Sequence, residues 1–348
     1  MNASVLQAQL SEQRMKVDFN TYDLSLKEIV GMVTDSIINI SPEYQRRFRW
    51  DPERQSSLVE SLFLGIPVPT VFMATNADGT WELIDGVQRI STIINFMGTE
   101  EDRKVLNSST VKAGLVLTGL EKLNAFNDMS FLQLPMDIQL KFKLSSLKVT
   151  TLTDKSDLNV RFDLFERLNR GGITLSDQEI RSCVYHGRFN DFIKELAQDA
   201  NFVQCVHVSD NKADSGLREE LVLRAFAYLY DIDSFDHSVK DFLNEYMKKA
   251  NKRFDYKKSE DAFRSVFKIL NQSLPNGISK GRNSTPLNLY EAVAVGALKV
   301  YLKKQSINVD NIETWLKDPE LIRFTTGATN SKPRVIGRIA FCEEKFGA

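Results

Sequence analysis

The sequence predicts an α+β protein in which a small mixed α/β domain is followed by a mostly helical one. Two observations carry this prediction. Between residues 68 and 85 two strand-like segments flank a turn, and apolar residues then recur at helical spacing from Gln88. From Asn159 onward helical spacing dominates to the end of the chain. We therefore expect domains at residues 1–153 and 154–348, without the fixed period of a solenoid.

The composition is that of an ordinary globular protein and excludes several classes. Its 348 residues are 26% charged and 42% hydrophobic, and Lys+Arg 45 against Asp+Glu 46 leaves a net charge of −1. No global positive field drives nucleic-acid binding, so such contact requires a local patch. Three distant cysteines predict a reduced, cytoplasmic protein. The polar start and the absence of a long apolar run argue against export or membrane insertion.

The first elements follow from capping and spacing. Residues 1–16 resemble a loosely held polar helix, and a helix after the N-cap Ser25 carries apolar residues over 26–33. Residues 37–40 predict a short strand, and Asp51-Pro52 opens a helix to residue 64. Along the sequence, a short strand is therefore predicted between two helices.

A hairpin and a further helix complete the first domain. Residues 68–74 and the segment ending at Asp85 predict strands joined at Asp78-Gly79, the helix then starts at Gln88, and residues 143–152 add a strand to the same sheet.

The second half consists of helices. Ser176 and Glu179 form a predicted capping box at the start of one of them. Further helices are predicted near residues 188–199, 217–230, 238–250, 256–273, 287–304, 310–317 and 335–346.

The junction between strand and helix at residues 85–89 predicts an anion site. Its sequence is Asp85-Gly86-Val87-Gln88-Arg89. Such a junction directs backbone N–H groups and the positive end of a helix dipole to one point, where Arg89 adds a guanidinium. Phosphate is the anion that this set favours. The alternative is that Arg89 belongs to a structural ion pair.

Arginines alternate with aromatic residues just before the helix at residue 52. The arginines are Arg46, Arg47, Arg49 and Arg54, and the rings are Tyr44, Phe48 and Trp50. Guanidinium groups and rings together suit contact with phosphates and bases, so Arg47 and Arg49 are candidate DNA contacts. The alternative is a core of rings with a solvated rim of arginines, which composition alone favours.

Two further segments have a local functional interpretation. The loop Asn169-Arg170-Gly171-Gly172 contains one glycine more than a helix end requires, which allows close approach of a ligand to the backbone. Lys252 and Arg253 lie in a basic run and are candidate DNA contacts, although such a run is more often a solvated helix face.

The sequence also excludes common catalytic chemistries. Only three histidines occur, none with zinc-site spacing, and neither a P-loop nor a Gly-x-Ser-x-Gly elbow is present. Nucleotide hydrolysis would therefore require an unconventional pocket.

Several segments together resemble a known family. They are Tyr44-Gln45-Arg46, residues 61–69, residues 84–89, residues 165–172, residues 178–181 and residues 218–224. In this order they are similar to the "domain of unknown function 262" family, which includes the N-terminal part of GmrSD-type modification-dependent restriction proteins. The family signature is Asp-Gly-Gln-Gln-Arg, and this chain has Val87 at the third position.

The resemblance implies a ParB/sulfiredoxin-like α/β domain that binds and hydrolyses nucleoside triphosphates in defence against foreign DNA. The residues that would bind the nucleotide by this resemblance are Tyr44, Gln45, Arg46, Asp85, Gly86, Gln88, Arg89, Asn169, Arg170 and Gly172. Arg89 would neutralise phosphate charge, Asp85 would hold Mg²⁺ or orient water, and Gln88 would position the nucleophile. Val87 replaces a polar residue, so we expect binding more firmly than hydrolysis.

Relatives often carry a His-Asn-His type nuclease domain. This chain has no histidine after His237, so we expect no such nuclease in it and a partner nuclease chain instead. A homo-oligomer is also compatible with the sequence. Two other interpretations stay open: a non-enzymatic DNA-binding adaptor that grips the DNA backbone, and a toxin or regulator whose ligand is not a nucleoside triphosphate.

Overall fold

The chain forms two compact units, residues 1–174 and 175–348. The computed structural model describes residues 3–14, 18–40, 50–76, 78–106, 114–153, 156, 158–169, 176–213, 215–279, 284–327 and 330–348. The first unit contains a mixed sheet with helices and the second is helical, so the predicted α+β class is confirmed. Within these ranges, no helix has the length and apolar character needed to cross a membrane.

The first unit is built on a five-stranded sheet. Its strands are β1 (Phe19–Ser25), β2 (Ile38–Asn39), β3 (Val71–Thr75), β4 (Trp81–Asp85) and β5 (Ser146–Leu152), in the order β1-β5-β3-β4-β2. The β3–β4 pair is antiparallel, which confirms the predicted hairpin, whereas β3 runs parallel to β5 and β2 parallel to β4. The predicted strand at 143–152 does join this sheet. Strand β1, at the edge, was not predicted.

The helices of this unit have the capping that the sequence indicates. They are α1 (Ala3–Arg14), α2 (Leu26–Thr34), α3 (Pro52–Leu64), α4 (Val87–Met97), α5 (Glu100–Lys104), α6 (Met136–Leu144) and α7 (Leu158–Asn169). The Ser25 hydroxyl accepts a hydrogen bond from the Glu28 N–H, and the Asp51 carboxylate accepts one from the Arg54 N–H. Four packed rings, Phe63, Phe96, Phe131 and Phe142, form part of the core.

The second unit consists of helices. They are α8 (Asp177–Val184), α9 (Arg188–Leu196), α10 (Ala200–Cys205), α11 (Asp210–Ala213), α12 (Leu217–Asp231), α13 (Val239–Lys252), α14 (Tyr256–Ser273), α15 (Leu287–Lys304), α16 (Ile312–Trp315), α17 (Pro319–Thr325) and α18 (Lys332–Gly347). Both halves of the predicted capping box between Ser176 and Glu179 are present. Helix α15 is buried over most of its length and forms the centre of this unit.

Candidate functional site

The turn between β4 and α4 leaves the start of the helix open. Gly86 is the N-cap residue, has φ of 110°, and provides no capping side chain. A Cβ atom at this position would lie 2.8 Å from Cγ2 of Val71, so the turn accepts only glycine. The first N–H groups of α4 therefore have no side-chain acceptor at Gly86, and a helix start in this state suits an anion.

Arg89 lies one turn into α4 and folds back onto β4. Its Nη2 donates to Oδ2 of Asp85 at 2.7 Å and to the carbonyl oxygen of Thr70 at 3.4 Å. The Arg89 side chain is 12% exposed and that of Asp85 is 46% exposed. Nη1 and Nε of Arg89 make no hydrogen bond to any residue that the structure describes. The structural ion pair thus exists. Nε is buried, so Nη1 is the donor of this guanidinium that stays unused among the described residues and is not buried.

Gln88 binds the backbone of Trp50, the residue before the N-cap Asp51 of α3. The Trp50 N–H donates to Oε1 of Gln88 at 3.2 Å, and Nε2 of Gln55 donates to the Trp50 carbonyl at 2.8 Å. Nδ2 of Asn95 in turn donates to Oε1 of Gln55 at 2.8 Å. This chain of amides fixes the Trp50 backbone beside the first turn of α4.

Gln55 and Asn95 were missed by sequence reasoning. Both are buried, with 5% and 6% exposure. A signal was present, because Gln55 lies on the same helical face as Leu58 and Leu62, where an apolar residue is expected. An amide on an apolar face indicates a buried hydrogen-bond partner.

The structure brings together four of the predicted nucleotide-binding residues: Asp85, Gly86, Gln88 and Arg89. Arg54 is connected to this group through Trp50: its guanidinium lies 4.8 Å from the centre of the Trp50 ring, and the Trp50 N–H donates to Gln88. The predicted site residues Tyr44, Gln45, Arg46, Arg47, Arg49, Arg170 and Gly172 lie outside the described residues. Asn169 ends α7, and its side chain is outside the described part as well.

The two remaining predicted DNA contacts lie in the second unit. Lys252 ends α13, Arg253 follows it, and both are exposed. Neither forms an ion pair with a described residue, whereas Lys248 pairs with Glu245 and Lys249 with Asp231. Their contact with DNA stays a prediction.

Arginines of the second unit form a buried ionic network. Nη1 of Arg181 donates to Glu220 at 3.0 Å, and Arg224 bridges Glu220 at 2.7 Å and Glu291 at 2.8 Å. Arg338 pairs with the same Glu291. These ion pairs connect α8, α12, α15 and α18, so segments 178–181 and 218–224 have a structural role in this unit.

Metal-site geometry is absent from the ranges that the structure describes, in which no group of three His, Cys, Asp or Glu side chains is arranged to hold an ion.

Comparison with known families gives one match. Residues 26–186 match the family model described as the GmrSD restriction endonuclease, N-terminal domain. The match begins at α2, covers β2–β5 and ends just after α8, which belongs to the second unit. Comparisons with curated proteins and with solved structures found no match.

Proposed function

From the match of residues 26–186 to the GmrSD restriction endonuclease N-terminal domain, we propose that the chain binds nucleoside triphosphates and senses DNA. In this proposal it serves a bacterial defence system related to restriction. Its nucleotide site is the turn between β4 and α4.

Two kinds of N–H donor at this turn carry the proposal. Arg89 donates from Nη2 to described residues, and its Nη1 is unused among them, while its Nε is buried. Phosphate oxygens accept from a guanidinium N–H and from the uncapped N–H groups of a helix start. Both donor types converge at the turn that Gly86 makes possible.

Position 87 separates binding from hydrolysis. Val87 is the first residue of α4, so its backbone N–H keeps the direction that a helix start gives it. Only a polar side chain is lost relative to the family signature. Phosphate contact through the backbone is therefore retained in this proposal, while any role of that side chain in hydrolysis is removed.

Asp85 and Gln88 have different roles in the proposed site. The half-exposed carboxylate of Asp85 would hold a Mg²⁺ ion that enters with the nucleotide and neutralises phosphate charge. Oε1 of Gln88 accepts from the Trp50 N–H, so this side chain is already tied to the segment before α3. We expect Gln88 to act mainly by holding Trp50 at the site.

The test compares Arg89→Ala with the wild-type chain for each of the four nucleoside triphosphates and Mg²⁺. Calorimetry should show affinity about 10- to 100-fold weaker in the variant, because a hydrogen bond to a charged group contributes about 1.5–3 kcal/mol. Lys104→Ala is the matched control, since Lys104 pairs with Glu101 at 2.5 Å on the surface of the same unit. Unchanged affinity in Arg89→Ala would reject the site.

Phosphate release in the same samples, with and without plain or modified DNA, decides whether the chain is an enzyme. Release that DNA stimulates and Arg89→Ala abolishes would establish a DNA-controlled nucleoside triphosphatase. No triphosphate binding together with retained DNA binding would favour the non-enzymatic adaptor. The second candidate is kept because Lys252 and Arg253 are exposed and form no ion pair within the part of the chain that the structure describes.

A further inference from the structure

We propose that the second unit binds the phosphodiester backbone of DNA through a basic surface formed by Arg188, Lys252 and Arg253 and supported by the ring of Tyr256. Arg188 is the first residue of α9, Lys252 and Arg253 follow each other at the end of α13, and Tyr256 is the first residue of α14. The proposal rests on the DNA-sensing part of the proposed function and assigns DNA binding to this surface.

Asn251 holds the two helix ends of the basic surface together. Its Oδ1 accepts from the Phe189 N–H at 3.3 Å. Its Nδ2 lies 3.2 Å from the His186 carbonyl and 3.4 Å from that of Tyr185, and donates to both. One side chain of α13 thus caps the first turn of α9, so residues 188 and 252–253 come from different helices to one place.

Gly187 makes this junction possible. It has φ of 134°, and a Cβ atom there would lie 2.9 Å from Oδ1 of Asn251. A larger residue would displace the amide that joins the two helices. The backbone position of Arg188 therefore depends on the glycine before it.

Arg188 is further fixed by an aromatic support. Its guanidinium lies 4.2 Å from the centre of the Tyr256 ring. That ring packs in turn on Phe192 and Phe254, each with ring centres 5.2 Å away. A guanidinium stacked on a ring keeps its N–H donors at the edge of its plane, where they meet phosphate oxygens with little further loss of side-chain freedom.

The cations of the basic surface lack the partners that other cations of this unit have. Arg188, Lys252 and Arg253 are exposed and form no ion pair with a described residue. Arg264, by contrast, contacts three carboxylates, those of Glu195, Asp199 and Glu260. When such cations neutralise phosphates, the DNA releases its condensed counterions, which is the main source of affinity for a nucleic-acid backbone.

Two acidic residues border the basic surface. The first is Asp191, which lies near the Tyr256 ring: burial and the charge of Asp191 raise the pKa of Tyr256, and the charge of Arg188 lowers it. The second is Asp255, whose carboxylate accepts from the Lys258 N–H and caps α14. These carboxylates limit the net positive charge to a narrow area, which fits a few successive phosphates better than a broad polyanion.

The experiment compares two triple variants with equal change in net charge. Arg188→Gln/Lys252→Gln/Arg253→Gln removes the basic surface. Lys212→Gln/Lys268→Gln/Lys317→Gln removes three exposed lysines elsewhere in the same unit. Affinity for a labelled duplex of about 20 base pairs is measured by fluorescence anisotropy between about 50 and 200 mM salt.

Loss of three phosphate contacts should reduce the slope of log K against log [salt] by about 2.7, since each contact contributes about 0.9. The control triple should keep the wild-type slope. Both triples should keep their thermal stability and the triphosphate affinity of the wild type, because the substituted side chains are exposed and lie outside the proposed nucleotide site.

Equal slopes in the first triple and the wild type would overturn the basic surface while leaving DNA sensing intact. Equal losses in both triples would overturn it as well, because net charge alone would then explain binding. A wild-type chain that binds no duplex would reject DNA sensing and the surface together, without affecting the Arg89 result. Displacement of DNA by polyglutamate at equal charge concentration would show that the surface does not prefer phosphodiesters.

Discussion

Arg89 in the first unit and Arg181 in the second both end segments that carry the family resemblance, yet their side chains have different surroundings. Arg181 is 1% exposed and donates from Nε to Asn244 and from Nη1 to Gln178 and Glu220. Arg89 is 12% exposed and donates from Nη2 only, to a half-exposed carboxylate and a carbonyl. Arg181 is buried and pairs through two of its nitrogens with three side chains, as expected of an arginine that holds a fold together. Arg89 pairs through one nitrogen beside an open helix start, which is the arrangement that the proposed nucleotide site requires.

The largest expected effect separates these two arginines by stability. Arg181→Met should lower the free energy of unfolding by about 3–5 kcal/mol, because it leaves a buried carboxylate without one of its partners. Arg89→Ala should cost about 0–1 kcal/mol, since Asp85 becomes hydrated at the surface. Urea unfolding followed by circular dichroism measures both. Similar losses in the two variants would contradict the distinction between a structural and an available arginine.

A smaller effect is expected at Gly86, which shapes the open site. Gly86→Ala should destabilise the first unit by about 1–3 kcal/mol through the contact of the added Cβ with Val71, in addition to the cost of a side chain at positive φ, about 1–2 kcal/mol. It should also weaken triphosphate binding, since the start of α4 must move. Gly65→Ala is the matched control: φ is 68° there, but a Cβ would meet nothing within 4 Å.

Calorimetry and urea unfolding of the two alanine variants give the comparison. Gly65→Ala should show only the cost of a side chain at positive φ, about 1–2 kcal/mol, and the triphosphate affinity of the wild type. If both variants bound triphosphate as the wild type does, the geometry of the turn at Gly86 would not matter for binding.

Local patterns predicted the fold well where burial is periodic. Strand β4, the break at Asp85-Gly86 and helix α4 follow from apolar spacing and turn chemistry, and the structure confirms them. Edge strand β1 escaped because six of its seven residues are not buried and no alternation marks it. Helix α6 escaped because Phe142 is its single buried residue, so no apolar stripe appears.

The site was predictable only in its local part. A structural ion pair of Arg89 was one of two interpretations that the sequence offered, and its partner in the structure, Asp85, lies only four residues away. The contact between Asn251 and the backbone at Phe189 joins residues 62 positions apart. The buried amide pair of Gln55 and Asn95 spans 40 positions. Such pairings depend on packing between helices, which spacing along one helix does not contain.

The smallest expected effect is a pH dependence of the free energy of unfolding that arises from Glu220, the partner of Arg181. Burial acts to raise the pKa of Glu220, but the charges of Arg224 and Arg181 outweigh it, so this pKa lies below its usual value of 4.5. A carboxyl whose pKa is lower in the folded state stabilises the fold above its unfolded pKa. That stabilisation is lost as the pH falls through the folded pKa, because protonated Glu220 no longer forms an ion pair with Arg181 or Arg224.

Glu220→Gln cannot lose a charge in acid, so the difference between wild type and this variant isolates the contribution of Glu220. We expect the difference in free energy of unfolding, measured in urea, to be constant above about pH 5 and to shrink below the usual pKa of 4.5. The same series in an Arg181→Met background should show a weaker dependence, because one of the two charges that lower the pKa of Glu220 is gone. A difference that persists unchanged into strong acid would show that the network does not depend on the charge of Glu220, and the buried arginines would then be held by hydrogen bonds alone.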